Sequence, residues 1–263
     1  MEVAALTKQD LDITQSDAAR ETLAKVKPVL VINAASVTGL ESCEENPVLS
    51  RKVNCEAPED WAKECGRAGV RFVHLGTDYI FDGKKSSAYL PNDPPSPLSR
   101  YGKDKAEGEN RVLRANPHAL VIRLAWVYGH GGKTFMSKLP GILVEKETVE
   151  VAGRAGSCTY AAEGARIILD LAAKKAQGIY HGVQAGTTTW KAFAENALQL
   201  MRVKGRQVNC REIRELSQEK IAGLKVPRPA FSTLDISGTE KILGRKIPGW
   251  EEGLAEYLKE IGW

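Results

Sequence analysis

Two stretches of this chain, residues 29–35 (Val-Leu-Val-Ile-Asn-Ala-Ala) and 119–126 (Ala-Leu-Val-Ile-Arg-Leu-Ala-Trp), are almost continuously apolar yet far too short to cross a bilayer. A strand with one wet face alternates apolar and polar residues. An unbroken apolar run of this length is a strand covered on both faces, the condition of a parallel sheet held between helices. Shorter runs at 3–6 and 71–76 read the same way, with helix-period segments at 16–26, 48–68 and 99–115 between them. The resulting βαβ rhythm predicts an α/β fold with a doubly wound parallel sheet. After residue 127 the rhythm loosens into a turn rich in glycine (Gly129, Gly131, Gly132) and helical stretches at 160–174 and 190–201. The segment 250–262 closes the chain, with Leu254, Tyr257, Leu258 and Ile261 at helical spacing and expected to pack inward.

Composition removes several classes of function. With 263 residues, 43% hydrophobic and 27% charged, the chain is long and apolar enough for a core, and is neither fibrous nor disordered. The net charge of +4 is spread along the sequence rather than gathered into a basic arm, so no nucleic-acid partner is expected. No membrane span or signal segment is evident, which predicts a cytoplasmic protein. The five cysteines are odd in number and lack a Cys-x-x-Cys pair, and the four histidines are scattered. The reading is therefore of reduced structural thiols, with no metal site.

In a doubly wound sheet, ligands sit beyond the carboxyl ends of the strands. Here those positions hold Asn33-Ala34-Ala35-Ser36, Thr77-Asp78-Tyr79 and Trp126-Val127-Tyr128-Gly129. The sharpest local feature is Tyr101-Gly102-Lys103-Asp104-Lys105 at the start of a helix, which places Tyr101 and Lys105 on one face. A phenol near pKa 10 is a poor acid at neutral pH, but a neighbouring ammonium favours the phenolate and is expected to bring it toward the working range. With a hydroxyl from Thr77, the set suits a carbonyl reductase that takes hydride from a nicotinamide. Tyr-x-x-x-Lys alone arises by chance about as often as not in a chain of this composition; its place at a helix start, after a strand ending in a hydroxyl residue, gives it weight.

The segments LDIT, VINAASVTGLESCEENP, VNCEAPE, HLGTDYIFDG, PPSPLSRYGKDKAEGE, VIRLAWVYG, GIYHGVQAGTTTWKAFA and RPAFSTLD occur in order along essentially the whole chain. Together they resemble the dTDP-4-dehydrorhamnose reductase branch of the extended short-chain dehydrogenases. That resemblance implies a Rossmann-like NAD(P)-binding domain over residues 1–127, with part of 155–185 returning to it, and a smaller substrate-binding lobe over 128–263. It also implies reduction of a 4-keto-6-deoxy sugar nucleotide by NADPH or NADH, and it leaves room for a homodimer. Tyr101 would be the proton donor, Lys105 would hold the nicotinamide ribose, and Thr77 would be the hydroxyl partner. Asp12 and Ile13 would lie by the adenine, Ala34 and Ala35 along the cofactor, and Leu124 and Ala125 near the nicotinamide. Val37, Thr38, Asp78, Tyr79, Phe81 and Trp126 would line the sugar pocket, with Arg228 near the nucleotide end. Plainer roles stand beside these: core packing for Trp126 and Phe81, a helix cap for Asp12, and a solvated loop charge for Arg228. Asn33 is expected to satisfy backbone at its strand end, and His74 to be a satisfied core residue.

Two departures from the family pattern stand out. Where that branch commonly has Asp-Gln-x-Gly-x-Pro-Thr, this chain has Gly153, Arg154 and Cys158 in place of the Asp, Gln and Pro. Arg154 reads as a surface charge or a phosphate contact. The family also opens with a strand, a Gly-x-x-Gly-x-x-Gly turn and a helix that bind the cofactor pyrophosphate. No such run occurs here, and the sequence starts where the family's second strand would be, about 25 to 30 residues in. The expectation is a sheet whose neighbouring strand lacks a ladder partner. The alternatives to an enzyme are a non-catalytic relative acting as a binding subunit, like the regulatory subunit of methionine adenosyltransferase, and a truncated, inactive reductase.

Overall fold

A computed structural model of the chain describes residues 2–221 and 225–263. Its central feature is a four-stranded, fully parallel sheet in the order Leu30–Asn33, Arg71–Thr77, Leu120–Leu124, Gly178–His181. Alternation along these short strands sends side chains to two helical layers. Phe72 and Val121 pack with Leu23, Trp61 and Val112 from the helices Ala18–Val26, Ala57–Arg67 and Arg100–Ala115. Val73, Leu120 and Ile122 face the other way, against Ile167 and Leu171 of Ala161–Ala173 and Leu243 of Ser237–Leu243. Both faces are covered, as the continuous apolar runs predict.

A further core gathers Leu139 and Leu143 of Phe135–Glu145, Phe193 and Met201 of Trp190–Val203, and Leu254, Tyr257 and Leu258 of Trp250–Glu260. The strands Thr148–Ala152 and Glu212–Leu216 pair in parallel beside it. All five cysteines are buried and unpaired. Among the described residues, no helix is long and apolar enough to cross a membrane.

Two local expectations need correction and one a refinement. Residues 3–6 form no strand and are exposed, and among the described residues they do not pair with the open edge of Leu30–Asn33. The helix expected over 48–68 is present and continuous from Pro47 to Arg67, with a π-helical turn Lys52–Glu56 between Pro47–Arg51 and Ala57–Arg67. The extra residue in that turn directs Asn54 at the loop after the first strand, where its carbonyl oxygen accepts from Val37 N–H at 3.0 Å and from the Ser36 hydroxyl at 2.7 Å. The run 119–126 leaves the sheet at Leu124, and Trp126 has a positive φ of 42°. So bulky a residue in the left-handed region is a strained one, of the kind found at ligand sites.

Candidate active site

The helix Arg100–Ala115 starts where the Ser99 hydroxyl accepts the Gly102 N–H at 3.2 Å. Gly102 lets that first turn press on the end of the second strand, since a Cβ there would lie 2.3 Å from the Tyr79 carbonyl oxygen. The close approach brings Tyr101 to Thr77, and its ring meets that of Tyr79 edge-on at 5.8 Å. Tyr101 is buried, and burial pushes its phenol above the ordinary value; the hydroxyls of Thr77 and Ser36 at the phenol oppose the shift only in part. The expected lowering by Lys105 is absent here.

Lys105 is turned inward instead. Its ammonium nitrogen lies 3.2 Å from His74 Nε2 and donates to the Leu75 carbonyl, and burial brings its pKa down to about 8. Burial likewise keeps His74 well below its usual value, with Lys105 adding to the effect. The other ring nitrogen of His74 meets the Asn33 amide at 3.3 Å, and Asn33 Oδ1 accepts the Ala35 N–H at 3.1 Å. Asn33 and His74 are thus satisfied core groups as expected, and they also support Lys105 from behind. An ammonium has three protons and these partners engage two.

The residues expected at the sugar divide into two groups. Val37 packs in the cluster of Tyr101, while Thr38 is exposed beside it. Tyr79 and Trp126, both partly exposed, flank the guanidinium of Arg154. Asp78 is buried, and burial pushes its carboxyl up to about 6 against the opposing Ser232 hydroxyl and Arg154 charge. Phe81 requires correction: it is wholly buried, stacked on Tyr89 at 4.1 Å, and has no face left for a sugar. Arg228 is no solvated charge, since it pairs with Glu41 at 3.1 Å on the helix Leu40–Glu45. Arg154 is not at the surface either, being 2% exposed.

Of the residues expected at a cofactor, Ala34 and Ala35 are exposed at the end of the first strand, and Leu124 is partly buried at the end of the third. Ala125 is buried, its carbonyl accepting from the Thr159 hydroxyl at 2.9 Å. Asp12 caps a turn through Thr14 N–H at 3.0 Å rather than a helix, and the Ile13 carbonyl accepts from the Trp61 indole. Ile13 packs against Ala57–Arg67 whereas Asp12 is exposed, and neither belongs to the cluster around Tyr101. The small side chains at 34 and 35 and the unengaged Lys105 proton fit the nicotinamide-ribose end of a dinucleotide. For the pyrophosphate, no glycine-rich turn from strand to helix lies beside them among the described residues. A separate cleft of about 270 Å³ at the opposite, amino ends of the strands is lined by Leu30, Arg71, Asn116 and Ala172, and holds none of these groups.

A family model described as the RmlD substrate binding domain matches residues 1–262. The chain belongs to that family. One similar relative of this family member is the spore coat polysaccharide biosynthesis protein SpsK of Bacillus subtilis, 33% identical over 98% of this chain and 89% of the relative. Another is a dTDP-4-dehydrorhamnose reductase of Streptomyces griseus, 31% identical over 98% of this chain and 86% of the relative. Among solved structures, the dTDP-4-dehydrorhamnose reductase of Bacillus anthracis in complex with NADP superimposes with a TM-score of 0.88 at 26% identity, over 97% of this chain and 89% of that one. The Rossmann-like parallel sheet is therefore shared across the RmlD family member and this neighbour.

Sequence reasoning missed three neighbours of the site. Ser36 lies one residue beyond the apolar run, and its hydroxyl at a strand end was the available signal. Asn54 and Trp190 carry none, because a π-helical turn in one case and the return of a distant helix in the other bring them in.

Proposed function

We propose that this member of a reductase family reduces a 4-keto-6-deoxy sugar nucleotide with NADPH or NADH, with dTDP-4-dehydrorhamnose the first substrate to test and dTDP-rhamnose the product. The observation that carries the reading is that Tyr101 reaches the Thr77 hydroxyl at the carboxyl end of Arg71–Thr77, with the buried Lys105 ammonium held on the same strand at the Leu75 carbonyl. When bound, the nicotinamide supplies hydride to the carbonyl carbon. Tyr101 donates its phenolic proton to the developing alkoxide, and burial keeps that proton on the phenol until transfer. Thr77 and Ser36 hydrogen-bond at the phenol and orient the carbonyl oxygen. Lys105, at about 8, is mostly an ammonium at neutral pH, and its remaining proton holds the nicotinamide ribose. Ala34 and Ala35 lie along the cofactor, Leu124 and Ala125 approach the nicotinamide, and Asp12 and Ile13 lie by the adenine. Val37, Thr38, Asp78, Tyr79 and Trp126 bound the sugar, and Arg228 stands at the nucleotide end. The nucleotide-binding part spans residues 1–127 with part of 155–185, and the enzyme works in the cytoplasm, with a homodimer as its candidate assembly.

The test is NADPH oxidation with dTDP-4-dehydrorhamnose. Tyr101→Phe should lower kcat by about 10²–10⁴-fold while leaving NADPH binding unchanged; full activity in that variant would sink the assignment. A second reading, a non-catalytic binding subunit, is favoured by the lack of a glycine-rich pyrophosphate turn among the described residues. Titration followed by nicotinamide fluorescence separates the two: micromolar affinity supports the reductase, and no transfer at millimolar NADPH supports the binding subunit.

A further inference from the structure

One ring away from Tyr101 lies a charge the proposed reaction does not use. Arg154 sits between the strands Thr148–Ala152 and Ala155–Gly156 and is 2% exposed. Its Nε donates to the Pro229 carbonyl at 3.1 Å and its Nη1 to the Tyr79 hydroxyl at 3.2 Å, while Nη2 is buried without a partner. The comparably buried arginines are neutralised: Arg123 pairs with Glu109 at 2.9 Å and Arg228 with Glu41. Among the described residues Arg154 makes no such pair; Asp78 affects it at longer range. In place of a carboxylate, the guanidinium faces the rings of Tyr79, Trp126 and Trp190 at 5.4, 5.5 and 5.6 Å. The indole N–H groups of Trp126 and Trp190 are also buried and unpartnered. One cluster thus holds three buried N–H donors without hydrogen-bond partners and a cation that no carboxylate touches, Asp78 acting on it only at longer range, which is a costly arrangement unless a further anion completes it.

We propose that Arg154, with the Trp126 and Trp190 indoles, forms an oxyanion subsite of the substrate pocket. It takes an oxygen of the nucleotide sugar, from a carboxylate on the sugar ring or from the diphosphate. The inference rests on the reading of this pocket as a sugar-nucleotide site. A guanidinium presents planar, directed donors that suit either oxyanion. The two indoles are partly exposed, so ligand entry repacks them and alters their emission.

Calorimetric titration with dTDP-glucose and dTDP-glucuronic acid, without turnover, tests it. Arg154→Gln should weaken binding at least tenfold, for the glucuronic acid alone if the sugar carboxylate is read, and for both ligands equally if the diphosphate is. Trp190→Phe, which keeps a ring and removes the N–H, should weaken the same ligand about threefold and reduce the change in tryptophan emission on binding. Affinities within twofold of wild type in both variants, with only the melting temperature of Arg154→Gln lowered, would make Arg154 a structural tie and overturn the inference. Because Trp190→Phe is read independently, a failure of Arg154→Gln to fold leaves the question decidable. Wild-type protein that binds neither ligand removes the sugar-nucleotide reading itself, and this subsite with it.

Discussion

Asp78 is held where an ionised carboxylate is poorly solvated, and its neighbours offset that only in part. The unfolded chain has the ordinary value of 3.8, whereas the native state holds its proton up to about 6. Between those values the native state binds the extra proton, so stability falls as the pH rises through the window and stays lower above it. Asp78→Asn is therefore expected to stabilise the protein by up to about 3 kcal/mol at pH 8 and by little at pH 4, measured by urea denaturation at both. An equal gain at the two pH values would show that the carboxylate's charge is not the cause. At this scale, the approach of Tyr101 to Thr77 was legible because a helix start and a strand end fix where such side chains point, whereas the inward turn of Lys105 to His74 and the Leu75 carbonyl was not. The direction in which burial moves the Tyr101 phenol was not legible, because it depends on how closely the helix approaches the sheet. Of the two readings of Arg154, surface charge or phosphate contact, the first fails for a related reason: its flanking residues are small, and the aromatic rings that bury it come from residues 79, 126 and 190.

Among the elements, the helix Arg100–Ala115 depends most on one small residue. Alanine normally favours a helix over glycine by about 1 kcal/mol. At position 102, however, the added Cβ would meet the Tyr79 carbonyl oxygen at 2.3 Å and the Pro97 Cβ at 2.9 Å, both held by backbone. Gly102→Ala should consequently destabilise the fold by about 1–3 kcal/mol in chemical denaturation and, by tilting the first turn away, lower turnover together with Tyr101's contact to Thr77. A stabilised variant would mean that the loop before the helix yields freely. The strand Leu120–Leu124 was readable because its two covered faces leave a nearly unbroken apolar signature, and Leu30–Asn33 carries the same signature although Ile32 is exposed at the sheet edge. The helix over 48–68 was readable too, but not the π-helical turn inside it, since that shifts the register by one residue and leaves the overall apolar period nearly intact. Residues 3–6 have the composition of a strand, but composition does not supply the adjoining ladder a strand requires.

For the whole molecule, the layers set which parts of the site are firm. Arg71–Thr77 and Leu120–Leu124 have a hydrogen-bonded strand on each side and helices on both faces. Thr77 is the last residue of the first of these, and Tyr101 is pressed against its end, so the proton-donating half of the site is anchored in the interior. Ala34 and Ala35 follow Leu30–Asn33, the outermost strand, which pairs on one side only and leaves Val29 76% and Ile32 39% exposed.

That one-sided pairing grades the sheet by how readily its amides open. In deuterated buffer, the amides of Leu120–Leu124 and of residues 72–76 should exchange only with global unfolding, and those of residues 30–36 should exchange orders of magnitude sooner through local opening. Saturating NADPH should slow residues 33–36 selectively and leave the central strands unchanged. Uniform protection across all four strands would contradict this gradient. The proton donor is thus held by the slowest-exchanging part of the sheet, while Ala34 and Ala35 follow an edge that opens sooner, so isotope uptake at residues 33–36 becomes a direct report of cofactor occupancy.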